Sequence, residues 1–198
     1  MKKTEQQKRL LLIIDPQYDF INGTLQVPEA QRIMDELADY ISNQDGQYLC
    51  KAITMDWHPW DHCSFDDKGG EWPRHCVQHS YGAAVYQPVL EAAQKTKGEV
   101  ILLTKGTDAG REEYSILKNS PSADRLLGYI LRHGIERIDV CGIAGDICVL
   151  NTLKDLDLAN LTDRLSVLER YCPSLDGGKA LSDYASSFFI RSRYSLGG

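Results

Sequence analysis

No apolar run in this chain is long enough to cross a bilayer: Leu10 to Ile14 and Val100 to Leu103 fall far short of the roughly 20 residues such a helix needs. No clustered Lys/Arg stripe is present either, and 22 basic against 28 acidic residues give a net charge of −6, so nucleic acid is not an expected partner. The basic N-terminus precedes an apolar run that ends in Asp15-Pro16 instead of the small residues of a signal-peptidase site, and a cytoplasmic protein is expected. Internal repeats, low-complexity tracts and linkers are absent. A disulfide framework is not needed at this length, so the six cysteines (Cys50, Cys63, Cys76, Cys141, Cys148 and Cys172) are expected as thiols.

What is present fits one compact domain. The 198 residues are 42% hydrophobic and 25% charged, which predicts a polar tail over residues 1–7 and a single domain over 8–198. Apolar runs at Arg9–Ile14, Tyr48–Thr54, Val100–Thr104, Ile138–Ile143 and Leu165–Leu168 read as buried parallel strands. Between them, Ala30, Ile33, Met34, Leu37 and Ile41 recur at helical spacing, as do Ala123, Leu126, Leu127, Ile130 and Leu131. For the second helix the spacing predicts Ser120 as N-cap, Pro121 at the first helical position and Gly134 just past the end. Val149, Leu153 and Leu156 predict a further helix directly after the fourth strand. This alternation predicts an α/β fold: a doubly wound parallel β-sheet flanked by helices, a Rossmann-like three-layer sandwich.

In such sheets ligands bind beyond the carboxyl ends of the strands. Asp15, Asp56, Lys105 and Gly145-Asp146-Ile147-Cys148 follow the first four strands in turn. Cys148 falls where the chain turns from strand to helix; free backbone N–H groups and the helix dipole there would lower its pKa and could hold an oxyanion. The plain alternative is a buried structural cysteine. Lys105 reads either as a solvated strand terminus or as a cation beside a thiol and a carboxylate. Asp15 precedes Pro16, which predicts an extended backbone, and it could be a turn residue or a proton carrier. A nucleophile, a cation and a proton carrier on neighbouring strand ends together suit amide hydrolysis.

Asp56-Trp57-His58-Pro59-Trp60-Asp61-His62, followed by Trp72-Pro73-Arg74-His75-Cys76, gathers three of the five histidines near a carboxylate. Asp56 and His58 point to one side of an extended segment, and an open site for Zn, Fe or Mn is the natural inference. Two other readings remain: a closed structural zinc site from His62-Cys63 and His75-Cys76, or histidines that hydrogen-bond without metal. Phe20, Trp72 and Tyr114 lie near these polar groups and read as core residues or as walls of a flat ligand slot.

Taken together, Ile14-Asp15-Pro16-Gln17-Tyr18-Asp19-Phe20, Asp56-Trp57-His58-Pro59, Trp72-Pro73-Arg74-His75-Cys76-Val77, Lys105-Gly106 and Gly142-Ile143-Ala144-Gly145-Asp146-Ile147-Cys148-Val149 resemble the nicotinamidases, metal-dependent members of the isochorismatase-like cysteine hydrolases. The resemblance implies a catalytic triad of Asp15, Lys105 and Cys148, and metal ligands Asp56, His58 and His75. It also implies a cis peptide between Ile143 and Ala144, an oxyanion hole from the N–H groups of Ala144 and Cys148, and ring contacts from Phe20, Trp72 and Tyr114. His62 occupies a position that ligates metal in some relatives. One divalent ion is implied, zinc first, with iron or manganese also compatible.

The implied activity is conversion of nicotinamide to nicotinate and ammonia through a cysteine thioester, in NAD salvage. The alternatives are a related amidase acting on pyrazinamide or a carbamoyl compound, and a non-catalytic structural-zinc protein. Residues 107–118 diverge from the commoner pattern and the 63–71 loop is short, which bears on substrate scope. A homo-oligomer is compatible with the amphipathic helices.

Overall fold

The computed structural model describes residues 8–194, with side chains to residue 187, so the polar tail expected over residues 1–7 lies outside the described residues. Strands β1 (Arg9–Ile14), β2 (Cys50–Asp56), β3 (Glu99–Lys105), β4 (Arg137–Gly142) and β5 (Leu165–Val167) form one sheet in the order β3-β2-β1-β4-β5, every pair parallel. All five expected strands are present. β1 has the expected bounds, and the other four shift by one or two residues, as expected where pairing with a neighbour, not apolarity, decides the limit.

The helices are α1 (Tyr18–Ile21), α2 (Ala30–Asn43), α3 (Gln87–Lys95), α4 (Ser120–His133), α5 (Leu150–Leu158) and α6 (Lys179–Tyr194). Right-handed crossovers between parallel strands put α2 and α3 on one face and α4 and α5 on the other. With both faces covered, the central strands must be apolar throughout, and Leu10 to Ile14 of β1 have no exposed surface. The edge strand β3 alternates instead: Leu103 is buried while Leu102 is exposed.

Two polar devices are built into this core. Lys51, inside β2 and 1% exposed, donates to the carbonyls of Thr96 and Lys97 at 3.0 and 2.7 Å, just past the end of α3. At the N-terminal ends of β1 and β4, the fully buried Asp139 accepts from Arg9, from Arg137 at 2.8 Å and from the Tyr48 hydroxyl at 2.9 Å.

Three local expectations are corrected. The cap of α4 is Asn119, whose side-chain oxygen accepts the Ser122 N–H; Ser120 is already the first helical residue, while Gly134 closes the helix with φ 59° as expected. Cys148 does not open an α-helix. It lies in a five-residue π-helical turn, Gly145–Val149, in which the Ala144 carbonyl accepts from both Ile147 and Val149. Asp15 is not extended but left-handed, at φ 44°. Its carbonyl accepts the Gln17 N–H at 2.8 Å and its side chain is bonded across the sheet, and these contacts outweigh the preference set by Pro16.

The chain proceeds from β1 outward through β2 to β3, then returns to add β4 on the other side of β1. The strand order therefore reverses between β1 and β4, and Asp15 and Cys148 leave the sheet on either side of that point.

Candidate active site and metal centre

Asp56 and Lys105 are the last residues of β2 and β3 and are Cα partners in the ladder, so their side chains leave the sheet together. The Lys105 Nζ lies 2.5 Å from Asp56 Oδ1, 2.9 Å from Asp15 Oδ2 and 3.6 Å from Cys148 Sγ. All four side chains are buried. Thr54, two residues before Asp56, donates to Asp15 Oδ1 at 2.6 Å and accepts the Asp15 N–H at 3.1 Å, which orients the carboxylate. The other oxygen, Asp15 Oδ2, faces the Lys105 ammonium at 2.9 Å and makes no further hydrogen bond.

Burial dominates the electrostatics. It lifts the Asp15 carboxyl above its usual range, with Lys105 pulling the other way. Burial opposes the charge of Lys105 too, but Asp15 and Asp56 outweigh it and hold the ammonium charged. Burial opposes the charge of Asp56 as well, but Lys105 outweighs it and holds the carboxyl well below the usual range. The Cys148 thiol is pushed well above its ordinary value by burial, with Lys105 only partly offsetting it. The expected lowered thiol pKa is thus corrected: two carboxylates share one ammonium, and a dry site with that balance keeps sulfur protonated until a base takes its proton.

The second cluster adjoins the first through Asp56. One ligand atom from each of Asp56, His58 and His75 lies within 4.8 Å of the others, and all three residues are buried. The His58 Nδ1–H donates to the Gly106 carbonyl at 3.0 Å and the His75 Nδ1–H to the Pro73 carbonyl at 2.7 Å. These bonds fix the tautomers and leave each Nε2 as a lone pair. His58 Nε2 is a buried atom with no hydrogen-bond partner, 3.7 Å from Asp56 Oδ1. Two imidazoles and a carboxylate with an orphaned nitrogen fit a divalent ion such as zinc. Gly106 belongs to this construction: its φ is +64°, and a Cβ there would fall 2.4 Å from the His58 ring.

The His62 ring lies 4.0 Å from that of His58, tilted by 33°. Its Nε2–H donates to the Arg111 carbonyl at 3.1 Å, and its Nδ1 accepts from Ser64 at 2.9 Å, so both nitrogens are engaged within the protein. The closed zinc site from His62, Cys63, His75 and Cys76 is not assembled among the described residues. The other three-residue grouping, Asp15, Asp56 and Cys148, already encloses a cation in Lys105.

Both clusters open into a pocket of about 400 Å³, including the space at its mouth. Phe20, Trp72 and Tyr114 are in its wall beside Asp56, His75, Ala144 and Cys148. The Trp72 indole N–H donates to the Tyr114 hydroxyl at 3.0 Å, joining two of these rings into one surface. The Ile143–Ala144 peptide is cis, and the Ala144 N–H makes no hydrogen bond among the described residues. Glu112 and Leu175 also line the wall and were not anticipated. A glutamate in the divergent loop after Lys105 was the available signal for the first; nothing in the sequence marks Leu175, which the backbone brings in when Asp146 accepts its N–H at 3.1 Å.

The Isochorismatase domain family matches residues 9–160. The chain is 32% identical over 164 residues to the nicotinamidase/pyrazinamidase of Mycobacterium tuberculosis, covering 80% of this chain and 84% of that one. Among solved structures, an L. infantum protein in complex with nicotinate superposes with a TM-score of 0.77 at 30% identity, covering 93% of this chain and 90% of that one. The pyrazinamidase of Pyrococcus horikoshii in complex with zinc does so with a TM-score of 0.75 at 28% identity, covering 91% and 96%.

Proposed function

The chain belongs to the isochorismatase family, and from that premise we propose that it is a metal-dependent amidohydrolase converting nicotinamide to nicotinate and ammonia, with Cys148 as nucleophile. The observation that carries the reading is Lys105, whose ammonium lies within reach of Asp15, Asp56 and Cys148 at once and so joins a thiol site to a cation site in one pocket.

In the reaction Asp15, whose raised pKa suits a proton carrier, takes the Cys148 thiol proton while Lys105 offsets the charge of the thiolate. Sulfur attacks the carboxamide carbon and forms the C–S bond. The N–H groups of Ala144 and Cys148 receive the oxyanion. Asp15 returns the proton to the amide nitrogen, the C–N bond breaks and ammonia leaves. Asp15 next takes a proton from water, the resulting hydroxyl attacks the thioester, and nicotinate departs as the thiol is restored. Phe20, Trp72 and Tyr114 hold the ring and exclude bulk water.

Asp56, His58 and His75 would hold a divalent ion, for which we assign zinc, supplying Lewis-acid chemistry that binds a pyridine nitrogen and so orients the carboxamide. The zinc complex of the Pyrococcus horikoshii relative supports this choice. We assign the reaction to NAD salvage in the cytoplasm; no helix among the described residues is long and apolar enough to cross a membrane.

The test is ammonia release from nicotinamide by the purified chain, before and after chelation, with zinc, iron or manganese added back singly. Activity that vanishes and returns with zinc is expected. Equal turnover of a carbamoyl compound lacking a ring nitrogen, or no release by the metal-loaded chain, would overturn the reading.

A further inference from the structure

The segment after β1 carries two buried polar side chains that the reaction above does not use. Gln17 has no exposed surface. Its Nε2 donates to the Asp56 carbonyl at 2.7 Å and the Ala83 carbonyl at 2.9 Å, while its Oε1 accepts the Asp56 N–H at 2.8 Å. A side-chain amide that pairs with both backbone groups of one residue acts like an added strand position. Here it clamps the residue that carries the shared carboxylate.

Asp19, two residues on, accepts the Cys76 N–H at 2.7 Å and the Thr24 N–H at 3.2 Å. Cys76 stands in the left-handed region, at φ 47°, a conformation a side-chain-bearing residue keeps only under constraint. Its carbonyl in turn accepts the His58 N–H at 3.0 Å. Cys76 is therefore gripped by Asp19 through its N–H and by His58 through its C=O, and His75 directly precedes it. Space for the grip is reserved: a Cβ on Gly82 would fall 2.1 Å from Asp19 Oδ2.

We propose that Gln17 and Asp19 are positioning residues for the cation cluster, Gln17 aiming Asp56 and Asp19 aiming the His58 and His75 pair. The segment that carries the proton carrier Asp15 thereby also sets the affinity for the metal. This inference rests on the metal reading of Asp56, His58 and His75. Neither side chain is among the three ligands; each holds the backbone of a ligand or of its neighbour, and loss of such outer support typically weakens metal binding about 10–100-fold.

The experiment measures the zinc dissociation constant of the full chain by competition with a chromophoric chelator, together with the unfolding temperature of each protein after metal stripping. The variants are Gln17→Met and Asp19→Asn, with Asp139→Asn, at the far end of the sheet, as the control for lost stability. Gln17→Met and Asp19→Asn are expected to weaken zinc binding by about 10–100-fold, whereas Asp139→Asn lowers the unfolding temperature and leaves zinc binding unchanged. Unchanged zinc affinity in both variants overturns the proposal, as does equal weakening in Asp139→Asn, which would make affinity a reflection of stability. If one variant fails to fold the other decides, and failure of both assigns these residues to folding and overturns the proposal. Absence of zinc uptake by the unsubstituted chain identifies failure of the metal reading itself, and the inference falls with it.

Discussion

Two buried ionic clusters stand at opposite ends of one sheet, and their charge ratios are inverted. At the N-terminal ends of β1 and β4, one carboxylate, Asp139, serves two guanidinium groups, Arg9 and Arg137, and a tyrosine hydroxyl, and both its oxygens are bonded. At the C-terminal ends, one ammonium, Lys105, is shared between two carboxylates, and His58 Nε2 has no hydrogen-bond partner. Buried polar atoms are ordinarily satisfied, and the exceptions call for a cause. The saturated cluster holds the fold together. The other has acceptors and lone pairs left over, which a proton, a cation or a substrate can use.

Substitutions at Cys148 and Asp15 give the largest expected effect. Cys148→Ala should lower ammonia release by about 10⁴-fold or more, with thermal unfolding unchanged. Asp15→Asn should abolish release comparably yet leave the unfolding temperature of the metal-stripped chain unchanged or higher, since Lys105 keeps Asp56 as its counter-ion. A destabilisation by Asp15→Asn as large as that of Asp139→Ala, measured by calorimetry, would erase the contrast between the two ends.

Asp139→Ala comes next. It leaves two arginines without their counter-ion, one of them 42% exposed, so the loss is set near the lower end of the buried-pair range, about 3 kcal/mol, or roughly 6–12 °C in unfolding temperature. Ammonia release per folded molecule should be retained; its loss would mean that the two ends are coupled.

The acid limb of stability sharpens the same point. Burial raises the Asp139 carboxyl, but hydrogen bonds from Arg137 and Arg9 outweigh it and hold the folded-state pKa below the usual value. Its contribution is therefore present above the unfolded pKa of about 3.9 and is lost as pH falls through the lower folded value. Unfolding temperatures recorded from neutral to strongly acidic pH should converge for the unsubstituted chain and Asp139→Ala at the acid end. Parallel curves would contradict the role of its ionisation.

The smallest effect is expected at Glu112, half-buried in the pocket wall, where burial and Asp56 both raise its carboxyl. Glu112→Gln removes a charge facing an anionic product, and inhibition by nicotinate should tighten by about 0.5–1 kcal/mol, two- to fivefold. An unchanged inhibition constant would exclude Glu112 from product discrimination.

Much of this was legible in the chain itself. The unbroken apolar run of β1, the polar residues at four strand ends and the paired spacing of Asp56 and His58 pointed to the sheet and to the groups that meet at Lys105. Helix α3 was not anticipated because its buried face is made of Val89, Ala92 and Ala93, too small and short to stand out. Gln17 and Asp19 carry no local sign of a role beyond their place in the motif. Their partners lie 39 and 57 positions away, and no local pattern reveals such a bond.

Apolar continuity and strand-end chemistry are written along the chain because a strand buried on both faces must be apolar throughout, and a parallel sheet delivers its C-terminal ends to one edge. The left-handed Asp15, the π-helical turn around Cys148, the burial that raises its thiol pKa and the engaged nitrogens of His62 had to await the packed molecule. Each depends on how far water is excluded and on which distant carbonyl or charge arrives within about 3 Å, the range over which hydrogen bonds act, and those distances exist only once the core has closed.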